Sequence, residues 1–146
     1  MKGVRGFSLL ELLIVVAIIL IIATIAVPAL LRSKQSANES SAVANLRTIN
    51  TAEATYILSS SGNYGTIPEL ITAGLMDSRF STSVSGYQYD VSSFVGGFTG
   101  QAMPAGTNAG RYGFYILADS VIRYATSSSS TCNPCYPTGL SGEPVR

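Results

Sequence analysis

The chain has 146 residues, 47% of them hydrophobic and 12% charged, with a formal net charge of +1. It contains neither histidine nor tryptophan, so the commonest metal ligand and the most frequent general base are both missing. Near-neutral charge gives no electrostatic case for nucleic-acid binding, and the length fits one membrane-anchored domain better than two.

The chain opens with a six-residue head, Met1-Lys2-Gly3-Val4-Arg5-Gly6, which carries two cations and no anion. Phe7-Ser8-Leu9-Leu10-Glu11 follows, and residues 12–31 are then apolar apart from Thr24 and Pro28. About 20 helical residues span ~30 Å, the thickness of one hydrocarbon core. A secretory signal peptide is one reading of this stretch, but its apolar run is long for an h-region, and Ala23-Thr24-Ile25-Ala26 is a poor cleavage site followed by more apolar sequence. A plain signal anchor, held by Lys2 and Arg5, leaves Glu11 unexplained, because an acid at depth costs on the order of 2–3 kcal/mol. A buried core helix would need more chain than remains to cover the rod on all sides.

The run Gly6-Phe7-Ser8-Leu9-Leu10-Glu11-Leu12-Leu13-Ile14-Val15-Val16-Ala17-Ile18-Ile19 resembles the N-terminal signature of type IV pilins and of the related pseudopilins of type II secretion. The resemblance implies cleavage by prepilin peptidase between Gly6 and Phe7, with N-methylation of the new Phe7 amine. It makes Glu11 the assembly carboxylate and Pro28 the helix-kinking proline. It further implies a homo-oligomeric helical filament, built at an inner-membrane pilus assembly platform from subunits first held in membrane lipid. The subunit would move from the bacterial inner membrane to an extracellular pilus, or stay periplasmic as a pseudopilin. No catalytic residue, metal or cofactor is expected.

Elementary physics gives these residues roles of their own. A carboxylate in apolar surroundings must be paired or neutral. Cleavage after Gly6 would create an α-amine four residues before Glu11, on the same side of a helix. In a filament the amine of an incoming subunit would meet Glu11 of a neighbour, fixing the register of otherwise greasy helices. The alternative is a Glu11 that merely snorkels to the headgroups. Pro28 lacks the amide donor and clashes with the preceding turn, so a bend or local opening is expected there, unless it is simply tolerated.

Beyond Pro28, Arg32 and Lys34 mark the exit from the bilayer. Ala42, Val43, Leu46, Ile49, Ala52, Tyr56 and Ile57 then recur at three- and four-residue steps, with Asn38, Glu39, Ser40, Arg47, Asn50 and Glu53 assigned to the opposite, polar face. One helix over residues 7–58 is expected, closed by Gly62 as a left-handed cap. Asn38-Glu39-Ser40 matches a glycosylation sequon, a weak signal on an ordered helix. Thr66 and Glu69 form a capping-box pair opening a short helix that Gly74 closes.

Strand patterns follow at Tyr87-Gln88-Tyr89-Asp90-Val91, at residues 111–118 with Tyr112, Phe114 and Ile116 on one face, and at 121–126. The glycine-rich interval 94–110 reads as a long loop. The tail, 127–146, is rich in serine, proline and glycine and holds the two cysteines in Cys132-Asn133-Pro134-Cys135. In an exported domain a disulfide between Cys132 and Cys135 is the default, with free thiols second; a redox motif lacks its βαβ setting and a zinc site lacks two ligands.

The expected fold class is α+β: a long N-terminal helix packed under an antiparallel sheet of about three strands, with a loop-rich C-terminal tail. The expected divisions are a leader at 1–6, a transmembrane and assembly segment at 7–31, an amphipathic segment at 32–59 and a globular head at 60–146. The expected function is a structural pilus subunit serving adhesion, motility or another filament role, with a secretion pseudopilin as the alternative. The resemblance implies that a major pseudopilin would carry a calcium-binding acidic loop near its C-terminus; this tail offers only Glu143, which favours the pilin. A membrane-tethered enzyme finds no paired carboxylates, nucleophile elbow or phosphate loop to work with.

Overall fold

The computed structural model describes residues 7–126 and 143–145. The chain forms two compact units, Met1–Lys34 and Gln35–Arg146. Helix α1, Leu9–Ser59, contributes to both. No glycine interrupts it, and its single internal proline is Pro28. At its far end Ser61 (φ +59°) and Gly62 (φ +89°) both turn left-handed, and the Gly62 N–H reaches back to the Ile57 carbonyl at 3.1 Å. The expected glycine stop is present.

Within the second unit, the part of α1 from Gln35 onward buries Ala42, Leu46, Ile49 and Ala52. Full burial of a leucine or isoleucine contributes about 1.5–3 kcal/mol. Two members of the expected polar face are buried as well: Glu39 (8% exposed) and Glu53 (0% exposed). That assignment is corrected. Both glutamates sit on the 3–4 spacing of the apolar stripe, 39-42-46-49-53-56, and each spends its carboxylate on a backbone amide: Glu39 on Arg111, Glu53 on Gly65.

Helix α2, Ile67–Thr72, begins at Thr66 as expected. One carboxylate oxygen of Glu69 accepts both the Thr66 N–H and the Thr66 hydroxyl at 2.7 Å. These bonds hold the Glu69 carboxyl below the ordinary carboxylate range. Gly74 (φ +72°) closes the helix, with the Leu75 N–H bonded to the Leu70 carbonyl at 3.0 Å. A 3₁₀ turn, Ser78–Ser81, leads to the sheet.

The described residues form a five-stranded antiparallel meander, ordered β1 (Tyr87–Phe94), β2 (Gly97–Pro104), β3 (Tyr112–Leu117), β4 (Ile122–Thr126) and β5 (Glu143–Pro144). The α+β arrangement is as expected, but the sheet is larger than three strands. Most of the extra strand comes from the interval read as a loop. There β1 turns through Val95-Gly96 into β2, with Phe94 opposite Gly97 and Tyr87 opposite Pro104. Composition hid β2 because its inward residues are Phe98, Gly100 and Ala102, two of them too small to register as apolar alternation. Gly100 marks a close approach: a Cβ there would lie 2.9 Å from Ile116 Cγ2 and 3.6 Å from Ile49 Cγ2. β5 rises from the serine-rich tail and is held by its ladder to β4.

Aromatic side chains fill the space between sheet and helix. Phe114 lies near Tyr87 (6.0 Å between centroids) and Tyr124 (6.5 Å), and Phe80 meets Tyr89 edge-on at 5.3 Å. The Tyr87 hydroxyl donates to the Tyr112 carbonyl at 2.8 Å. Such pairs add about 0.5–1.5 kcal/mol beyond their burial.

Candidate assembly and processing site

The first unit is an apolar helix with one acid. Phe7 is 74% exposed, and the exposed large hydrophobic residues from Leu9 to Leu31 range from 41% to 80%. An 18-residue window of α1 reaches a mean hydropathy of 3.1, and none of its residues is buried. Leaving so much apolar surface in water is not a stable arrangement, so bilayer or neighbouring helices must cover it. The helix is long and apolar enough to cross a membrane.

Glu11 stands in the first turn of α1. There the free amide groups and the helix dipole favour a negative charge by about 0.3–1 kcal/mol. Among the described residues its carboxylate has no hydrogen-bond or ion-pair partner. The Ser8 carbonyl accepts the Leu12 N–H at 3.2 Å, which begins the helix ladder just after Phe7. Sequence reasoning passed over one signal here: Ser8-Leu9-Leu10-Glu11 has capping-box spacing, so Glu11 has a local reason to sit near a helix start besides any assembly role.

Pro28 lies inside α1, and the helix continues on both sides of it. It can donate nothing to the Thr24 carbonyl, four residues back. The Thr24 hydroxyl is satisfied by the Ile21 carbonyl at 2.7 Å, as a hydroxyl in an apolar phase must be. Gly6, Cys132 and Cys135 lie outside the described residues.

In the second unit the charged groups are largely committed to architecture. Glu39 binds the Arg111 guanidinium through both oxygens, at 3.2 Å to Nε and 3.1 Å to Nη2, as well as its backbone N–H at 2.8 Å. Arg111 also lies over the Tyr112 ring at 5.2 Å. Asp119 and Arg123 pair at 2.7 Å across the β3–β4 turn, which holds the Asp119 carboxyl below its usual range. A cavity of about 260 Å³ opens between Ser36, Ser40 and Val43 of α1 and Tyr112, Phe114 and Tyr124 of the sheet. The Glu39 carboxylate on its wall is engaged by Arg111. Among the described residues no group of three or more acidic or cysteine side chains is placed to hold a metal ion.

A family model described as the prokaryotic N-terminal methylation motif matches residues 1–27. The chain is 28% identical, over 131 residues, to the type IV wide pilus major component PilA4 of Thermus thermophilus. That alignment covers 90% of this chain and 94% of the relative. No solved structure matches.

Proposed function

We propose that this chain, which carries the N-terminal methylation motif and is similar along most of its length to a type IV pilus component, is the structural subunit of a type IV pilus, polymerising through residues 7–31 into an extracellular filament. Its role is structural rather than enzymatic. The observation that carries the filament reading is the exposed apolar helix with Glu11 in its first turn, four residues after Phe7 and without a partner among the described residues. In a bilayer, lipid satisfies the apolar surface but not the carboxylate; in a bundle of like helices, the Phe7 amine of a neighbour supplies the cation. Methylation leaves that amine charged, so the pairing survives it.

Processing between Gly6 and Phe7 precedes assembly in this account, and prepilin peptidase is the enzyme that performs it. Until cleavage, Lys2 and Arg5 keep the N-terminus on the cytoplasmic side. Afterwards the leader no longer stands between the amine and its partner. Gly6→Leu is expected to leave full-length precursor in the inner membrane, with N-terminal sequencing returning Met1, while wild type returns methylated Phe7. A wild-type chain that begins after Ala23 or Ala26 would instead mean signal-peptide processing.

The relative's name concerns a wide pilus, and this supports the pilus over the pseudopilin. A pseudopilin would share every N-terminal residue but build only a short periplasmic fibre, so the site of the filament separates the two. Cys132 and Cys135 are proposed to bond to each other. Their ring is small, so its stabilisation falls at or below the low end of ~2–4 kcal/mol. Non-reducing peptide mapping should find the link, and the double serine variant should still assemble.

A further inference from the structure

Glu53 is a buried carboxyl for which filament assembly has no use. It is fully buried on the core stripe of α1. Its Oε2 accepts the Gly65 N–H at 2.9 Å, and its Oε1 has no hydrogen-bond partner. The segment it grips, 60–65, joins α1 to α2. Gly65 is seated tightly on the Tyr56 ring: an added Cβ would come within 3.0 Å of it. The groups around Glu53 offer no counter-charge among the described residues. From α2 comes Glu69, a like charge. β2 carries no ionisable side chain, the connecting segment contributes Tyr64, whose ring packs on Phe98 at 5.1 Å, and α1 itself contributes Tyr56.

We propose that Glu53 is a proton-operated latch: its neutral carboxyl holds segment 60–65 against α1 through Gly65, and loss of the proton loosens that segment. The geometry favours the neutral form. An ionised carboxylate at this position would be left with a single hydrogen bond, one bare oxygen and a like charge nearby, whereas the neutral acid, although its Oε1 hydroxyl also lacks a partner, has no charge to desolvate and loses less by the same burial. Burial above all pushes the Glu53 carboxyl above the ordinary range; the Gly65 N–H bond opposes this without cancelling it, and the Glu69 charge adds to the rise. A group whose pKa is raised on folding contributes stability that is complete below its unfolded value and is lost as pH rises through the folded one. Glu69 has the opposite sign: its lowered pKa contributes stability above its unfolded value and loses it on acidification. The two ends of the α1–α2 connection therefore weaken in opposite directions of pH. The latch belongs to the second unit alone and does not depend on filament assembly.

Amide hydrogen exchange of the full chain in detergent micelles tests this, read at Gly65 and its neighbours from about pH 4 to about pH 8 and corrected for intrinsic exchange. Protection at Gly65 is expected to fall with pH in wild type, by up to roughly tenfold per unit through which the Glu53 pKa is raised. Glu53→Gln keeps an acceptor for the Gly65 N–H and should flatten the profile. Glu69→Gln removes the like charge and should move the wild-type midpoint to lower pH. A corrected profile that is flat in wild type, or equally steep in Glu53→Gln, overturns the latch. Should Glu53→Gln fail to fold, an unmoved midpoint in Glu69→Gln overturns it instead.

Discussion

Glu11→Val is expected to insert at least as well as wild type, to be cleaved and methylated at Phe7, and to form no filament. Insertion improves because valine removes the cost of carrying a carboxylate into the bilayer, about 2.5–3.5 kcal/mol for an acid at the centre of a span and less near its end. Cleavage persists because it depends on Gly6 and its neighbours in the leader. Assembly fails because each incoming Phe7 amine would be buried without a counter-charge, a loss of roughly 3–5 kcal/mol for a broken buried pair. At about 1.4 kcal/mol per decade, that weakens each subunit addition by a factor of roughly 10² to 4 × 10³. The variant should collect in the inner membrane as cleaved monomer, seen by fractionation and intact mass. Glu11→Asp, one methylene shorter, should assemble at reduced yield. Normal filaments from Glu11→Val would reduce the carboxylate to a snorkelling group.

Gly110→Ala should be the most damaging single-methyl change in the head. A Cβ at Gly110 would collide with the Tyr87 hydroxyl and lie 2.6 Å from Tyr87 Cζ, where no real Cβ contact is found. Tyr87 is 0% exposed, packs on Phe114 and donates to the Tyr112 carbonyl, so its ring has little room to retreat. The variant must either displace it, losing that hydrogen bond at about 0.5–1.5 kcal/mol, or strain the approach to β3, where overpacking costs typically about 1–3 kcal/mol. A destabilisation of at least about 2 kcal/mol in denaturant melts is the expected result. Shortening the obstructing side chain in Gly110→Ala/Tyr87→Phe should recover part of it. Unchanged stability of Gly110→Ala would show that the β2–β3 connection moves aside freely.

The parts of this molecule legible in its sequence are those governed by one strong local signal. The apolar run, the helix over residues 7–58, the Gly62 stop, the Thr66–Glu69 start and the aromatic alternation of β3 each declare themselves through periodicity or cap chemistry. What escaped was decided by tertiary packing. β2 looks like a loop because Gly97 and Gly100 are small where Phe94 and α1 press close, and no periodicity rule scores a glycine as core. Polarity alone puts Glu39 and Glu53 on the solvent face. Their spacing says otherwise, but the amides that receive them, at Arg111 and Gly65, come from segments distant in sequence or beyond the helix end. Glu11 is conspicuous for the opposite reason: an acid beside a long apolar run stands out in the sequence, even though its place in the first helical turn also gives it a local role.

The most direct measurement is electron microscopy of material sheared from the cell surface, combined with N-terminal sequencing and intact mass of its main protein band. The expected result is long thin surface filaments whose subunit begins at Phe7 with a methylated amine. Surface material without filaments, with the same chain recovered from the periplasm or beginning at Met1, would contradict the account.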